Sequence, residues 1–187
     1  MFKNGRRHHS ISCLAWCLGF LVFLLPISTN LAAEKKAPAW VESAKRKPAN
    51  LAADLKNLDG SPFSLSDHQG KIMLLNYWAT WCKPCKEELP SIAELHRKLH
   101  PEGLEIIAFT SEKPDKVKKF LEEQDFPFTI VLDPKDTLGK RFNLNVVPST
   151  LVIDASGKIA LRYSGEFDWN SPAIVQGIQS VIQQRGD

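Results

Sequence analysis

Residues 72–79, IMLLNYWA, form an uncharged apolar run that leads, after Thr80 and Trp81, into Cys82 and Cys85. A continuous run of this length fits a strand buried on both faces of a sheet. Beyond the cysteines, KEELPSIAELHRKLHP places Leu89, Ile92, Leu95 and Leu99 at helical spacing. A buried strand that feeds straight into a helix constrains the chain strongly. It calls for an α/β layer arrangement, and it puts the residue at the junction, Cys82, at the helix N-terminus.

That position has chemical consequences. Free backbone N–H groups and the helix dipole favour an anion there, and the thiolate is the nucleophile of disulfide exchange. Cys85 lies one turn on, within reach for a disulfide. Lys83 adds a nearby positive charge, and Pro84 suits a first helical turn. The expected cycle has Cys82 attack a substrate disulfide, and Cys85 resolve the mixed disulfide that results. Trp81 is expected to be a partly exposed groove residue, Trp78 a core residue, and Pro90 a structural kink in the helix.

Competing uses of the pair fit less well. The chain has four cysteines, but Cys13 and Cys17 lie in an N-terminal segment of different character. One bridge closing so short a loop stabilises little. Structural zinc needs four ligands, and no second CxxC is present. His96 and His100, the nearest imidazoles on the helix, fall about 20 Å down its axis and are expected to face solvent. No metal site and no cofactor other than the cysteine pair is expected.

Residues 1–33 combine a basic start, MFKNGRRHHS, with the uncharged apolar stretch 11–28. They read as a signal peptide or an uncleaved membrane anchor. Either reading exports the remainder, and membrane contact would be confined to residues 11–28 of an uncleaved form. The excess of 24 basic over 21 acidic residues is accounted for by Lys3, Arg6 and Arg7. The rest is formally neutral, which gives no electrostatic footing for nucleic-acid binding. Residues 34–50, polar and Pro-punctuated, read as a spacer on which Trp40 and Val41 dock, and 51–187 as the folded domain.

Within that domain, Asp59-Gly60 turns an N-terminal hairpin. LEIIAFTS and FTIVLD read as strands, KPDKVKKFLEEQ and KDTLGKRFN as helices. STLVIDASGKIALRYSG reads as a hairpin turning at Ser156-Gly157, and SPAIVQGIQSVIQQR as a closing helix capped by Ser171 with Pro172 first. The order implies a mixed sheet with helices on both faces.

NYWATWCKPCKEELP, together with the LKNLDGSPFSLSDHQGK hairpin and VVPSTLVIDASGKI, resembles the exported TlpA/ResA-like thiol-disulfide oxidoreductases of the thioredoxin superfamily over roughly residues 50–185. The resemblance implies a thioredoxin fold with an N-terminal β-hairpin extension. It implies a cis-proline at Pro148, after Val147, shaping the substrate groove, and a helix carboxylate, Glu88, that tunes the cysteines and takes up a proton from Cys85. It further implies action on disulfides of partner proteins, as in cytochrome or oxidase maturation, and a monomer is expected. A membrane electron donor or oxidant would serve it, in the bacterial periplasm or on the periplasmic face of the inner membrane. Reduction is the expected direction.

The chain departs from related patterns at three places. Asn76 stands where thioredoxin has a buried Asp. NLNVVPST replaces the segment common in the branch dedicated to cytochrome c maturation. Ala79, three residues before Cys82, replaces the Thr or Ser of peroxiredoxins and argues against a peroxidase. A copper-site assembly factor is the alternative from the binding class. It would want a third soft ligand near the cysteines, and Met73 is the only methionine beyond residue 33.

Overall fold

The computed structural model describes residues 38–41 and 45–184, all within one compact unit. Among these residues seven strands and four α-helices follow in chain order: β1 (Leu55–Asn57), β2 (Pro62–Phe63), β3 (Ile72–Tyr77), α1 (Lys83–Leu99), β4 (Leu104–Thr110), α2 (Pro114–Leu121), β5 (Thr129–Leu132), α3 (Thr137–Arg141), β6 (Ser149–Ile153), β7 (Ile159–Ser164) and α4 (Pro172–Gln183). They build one sheet in the order β2-β1-β5-β4-β3-β6-β7. β3, β4 and β5 run parallel, while β6 and β7 on one side and the β1–β2 hairpin on the other are antiparallel. This is the mixed sheet with an N-terminal hairpin that the sequence implied.

The apolar run forms the central strand because both of its faces are covered. Ile72 and Leu74 join a core with Leu89, Ile92 and Leu95 of α1, Val117 of α2, and Ile174, Ile178 and Val181 of α4. Met73 and Leu75 point the other way, into a second core with Ile107, Phe109, Leu151 and Leu138 of α3. Strand side chains alternate between faces, so Asn76 follows Ile72 and Leu74 toward α1. That alternation sets up the site.

The spacer reading of residues 34–50 needs correction for the part described here. The chain runs along the outer edge of β7. Trp40 bridges to Leu161 and Pro48 to Lys158. Val41 N–H donates to Ala160 O at 2.8 Å, Ile159 N–H to Lys47 O at 2.9 Å, and Ala49 N–H to Gly157 O at 2.8 Å. Arg46 Nη1 meets Asp154 Oδ2 at 3.0 Å, with both side chains largely buried. The Trp40 indole packs so closely on Gly177 of α4 that any Cβ there would overlap the ring. The segment thereby covers a sheet edge that would otherwise present unpaired backbone. The sequence suggested the docking of Trp40 and Val41, but the backbone pairing and the Arg46–Asp154 contact leave no signal in the segment's polar composition.

Two smaller differences concern polar side chains. Ser171 occupies the N-cap of α4, but its hydroxyl makes no capping bond. His96, expected in solvent, is buried, with its ring stacked on His100 at 4.6 Å and edge-on to Phe128. Burial holds His96 below the usual histidine range, and the neighbouring His100 adds to the effect. Among the described residues no helix is long and apolar enough to cross a membrane. The predicted signal or anchor, with its apolar stretch 11–28, lies outside the described residues.

Candidate active site

The turn between β3 and α1 carries the cysteines. Cys82 is the N-cap of α1, and its Sγ accepts a hydrogen bond from Cys85 N–H at 3.1 Å. Its own N–H closes the turn on Ala79 O at 3.1 Å. The two cysteines form a disulfide, S–S 2.07 Å, with Cα atoms 5.3 Å apart. Cys85 is fully enclosed, while its neighbour in the turn, Trp81, is 71% exposed. Trp78 is buried against Phe120. Pro84 sits in the first turn of α1, where its missing N–H costs nothing. Lys83 does not turn toward the sulfurs. It lies on the solvent side of the helix, paired with Glu87 at 2.9 Å.

Val147–Pro148 is a cis peptide bond. β6 begins immediately after it, with Ser149 opposite Tyr77 in the register with β3. Pro148 therefore lies at the end of the sheet where β3 passes into the cysteine turn. Pro148 is buried, Val147 half-buried, and Val146 exposed. The loop is fastened by Gly165 N–H on Pro148 O at 2.8 Å and by Ser149 Oγ on Val146 O at 2.8 Å.

Glu88 lies one turn beyond Cys85 on the inner face of α1 and is 2% exposed. Three donors converge on its carboxyl group. Asn76 Nδ2 reaches Oε1 at 2.8 Å, while Trp169 Nε1 at 3.1 Å and Phe167 N–H at 3.3 Å reach Oε2. Burial pushes Glu88 up to about 7. The bonds from Trp169, Asn76 and Phe167 oppose that rise, and the charge of Glu166 adds to it. Asn76 Nδ2 also donates to Thr150 Oγ1 at 3.0 Å. Ser91 Oγ, donating to Glu88 O and accepting from Trp169 N–H, ties the 167–169 loop to the same helix turn. A buried carboxyl that titrates near neutrality can hold a proton or release it under working conditions.

Sequence reasoning reached the cysteines, Glu88 and Pro148. It missed Trp169, Phe167, Thr150 and Ser91. Thr150 becomes visible only once Asn76 is known to lie opposite it in the β3–β6 register. Trp169 follows β7 in a connecting loop with no local pattern to mark it.

Comparison with known proteins agrees with this geometry. The AhpC/TSA family model matches residues 47–162. The thiol-disulfide oxidoreductase ResA of Geobacillus kaustophilus is 38% identical over 140 residues, covering 74% of this chain and 77% of its own. ResA of Bacillus thuringiensis subsp. konkukian is 35% identical over 127 residues, 67% of this chain and 72% of its own. Among solved structures, a protein of Chlorobium tepidum provisionally named a thiol:disulfide interchange protein DsbE superposes with TM-score 0.66 at 26% identity, covering 73% of this chain and 97% of its own. A secreted thiol-disulfide isomerase of Corynebacterium glutamicum shares the fold, with TM-score 0.68 at 20% identity over 81% of this chain and 95% of its own. A CxxC pair at a helix N-terminus, on a thioredoxin-like sheet that these relatives share, places the chain in the AhpC/TSA family, among its ResA-like thiol-disulfide oxidoreductases.

Proposed function

We propose that this protein is exported and reduces disulfides in partner proteins, drawing its electrons from a thiol donor at the membrane. The observation that carries this reading is the placement of Cys82, whose sulfur sits at the N-cap of α1 and accepts from Cys85 N–H. In the dithiol form the same N–H and the helix dipole favour a Cys82 thiolate. That thiolate attacks one sulfur of a partner disulfide and expels the other as a thiolate, which takes up a proton. Cys85 then gives up its proton and attacks Cys82 Sγ. The Cys82–Cys85 disulfide forms and the second partner thiol leaves. Both partner sulfurs end protonated: the dithiol supplies the two electrons, Cys85 one proton, and solvent the other, which matches the proton Cys82 released on ionising. Glu88, one turn from Cys85 and titrating at about 7, is the group suited to take the Cys85 proton.

Export is supported by the basic start and apolar stretch 11–28. The resemblance to ResA-like proteins supports partners of the kind matured with cytochromes or oxidases. Equilibration with glutathione or dithiothreitol buffers tests the direction. A potential of about −250 mV or lower is expected, and one of about −120 mV would mark an oxidant instead. Trapping tests the order of attack. Cys85→Ser should accumulate mixed disulfides with partners, and replacing Cys82 as well should abolish them.

A further inference from the structure

A second carboxylate is tied to the turn that carries the attacking sulfur. Glu112 stands in the connection between β4 and α2. Its Oε2 accepts from Thr80 N–H at 2.5 Å and its Oε1 from the Thr80 hydroxyl at 3.0 Å. Glu112 is itself oriented, since its N–H donates to Oγ1 of Thr110, a buried residue at the end of β4. Thr80 belongs to the turn that Cys82 N–H closes on Ala79 O. A two-pronged, charge-assisted acceptor therefore holds the backbone two residues before the nucleophile.

The charge matters separately from the grip. A glutamine could satisfy both Thr80 groups, accepting from the N–H and donating to the hydroxyl. A fixed anion beside the turn disfavours a second negative charge on Cys82 and so opposes the helix N-terminus. In a dithiol pair, a less stabilised thiolate makes the reduced form a better electron donor.

We propose that Glu112 is a positioning residue for the exchange reaction, clamping the Thr80 turn in front of Cys82 and, through its charge, biasing the dithiol toward giving up electrons. This rests on the reading above in which Cys82 is the attacking sulfur.

The test uses the reduced protein, as wild type, Glu112→Gln and Glu112→Ala. Each is alkylated with iodoacetamide between about pH 5 and 9, and the labelled cysteine is identified by mass spectrometry. In Glu112→Gln the alkylation midpoint of Cys82 should fall by about half a pH unit. The equilibrium with glutathione should move toward the dithiol, and thermal unfolding should stay close to wild type. Glu112→Ala should show the same fall and, in addition, slower reduction of a protein disulfide than Glu112→Gln, which keeps the hydrogen bonds to Thr80. A wild-type midpoint in Glu112→Gln overturns the proposal, and that variant alone decides it if Glu112→Ala does not fold. An alanine variant that folds and matches the glutamine rate also overturns it. Labelling that falls first on Cys85 removes the assignment of the attacking sulfur and the proposal with it, and the labelled position distinguishes this outcome from the others.

Discussion

Asn76 of β3 and Glu88 of α1 meet inside the protein, the amide Nδ2 donating to the carboxyl Oε1 at 2.8 Å. Both side chains are essentially excluded from water. The strand that delivers the chain to Cys82 thus also supplies a donor to the acid one turn beyond Cys85.

Glu88 should make stability depend on pH in an unusual direction. Its value rises on folding, from 4.5 to about 7, so the folded chain holds the proton more tightly than the unfolded chain. The resulting stabilisation is complete below the unfolded value and is lost as pH rises through about 7, amounting to about 3 kcal/mol at most. Denaturant unfolding of the oxidised protein should therefore show wild type losing stability between pH 5 and 8 relative to Glu88→Gln. Parallel curves would mean that Glu88 does not hold its proton in the fold.

Asn76→Asp should be poorly tolerated at high pH. The change restores the residue type of thioredoxin but puts a second buried carboxyl against Glu88. Two such groups cannot both ionise without loss. The variant should be destabilised by about 2–4 kcal/mol at pH 8, with a smaller deficit at pH 5, where a shared proton can bridge the pair. Thermal melts at the two pH values check the sign.

Trp169→Phe should raise the Glu88 value further. The indole N–H, which donates to Oε2 at 3.1 Å, favours the charged carboxylate, and phenylalanine has no donor to replace it. The Glu88-dependent midpoint in the pH profile of disulfide reduction should move up by about one pH unit. An unmoved midpoint would show that the bond does not influence the acid.

Arg46→Ala should release the N-terminal segment. Arg46 pairs with Asp154 at 3.0 Å in a largely buried setting, and its Nε also donates to Val41 O at 3.0 Å. Removing one partner of a buried pair costs about 3 kcal/mol. Hydrogen exchange should show the Val41 and Ala49 amides losing protection while the β3 and β4 amides keep theirs.

Much of this protein was legible from local pattern. The apolar run 72–79 fitted a covered central strand, and the helical period after it marked α1, which put the cysteine turn at their junction. Glu88 was singled out by the resemblance to the TlpA/ResA-like proteins, and its spacing after Cys85 agreed with the inner helix face. The strand and helix assignments rest on periodicity, which a chain carries along its own length. Other features depended on which distant segments meet. Asn76, Phe167 and Trp169 meet Glu88, and Thr150 backs Asn76, because β6 pairs beside β3 and the loop after β7 folds back over α1, and no local rule encodes either approach. The same holds for Glu112 at Thr80 and for residues 38–41 and 45–49 on β7. The sequence alone determined where the sulfur chemistry sits. The tertiary structure decided how the acid beside it is held, because burial and converging donors are properties of packed neighbours rather than of sequence spacing.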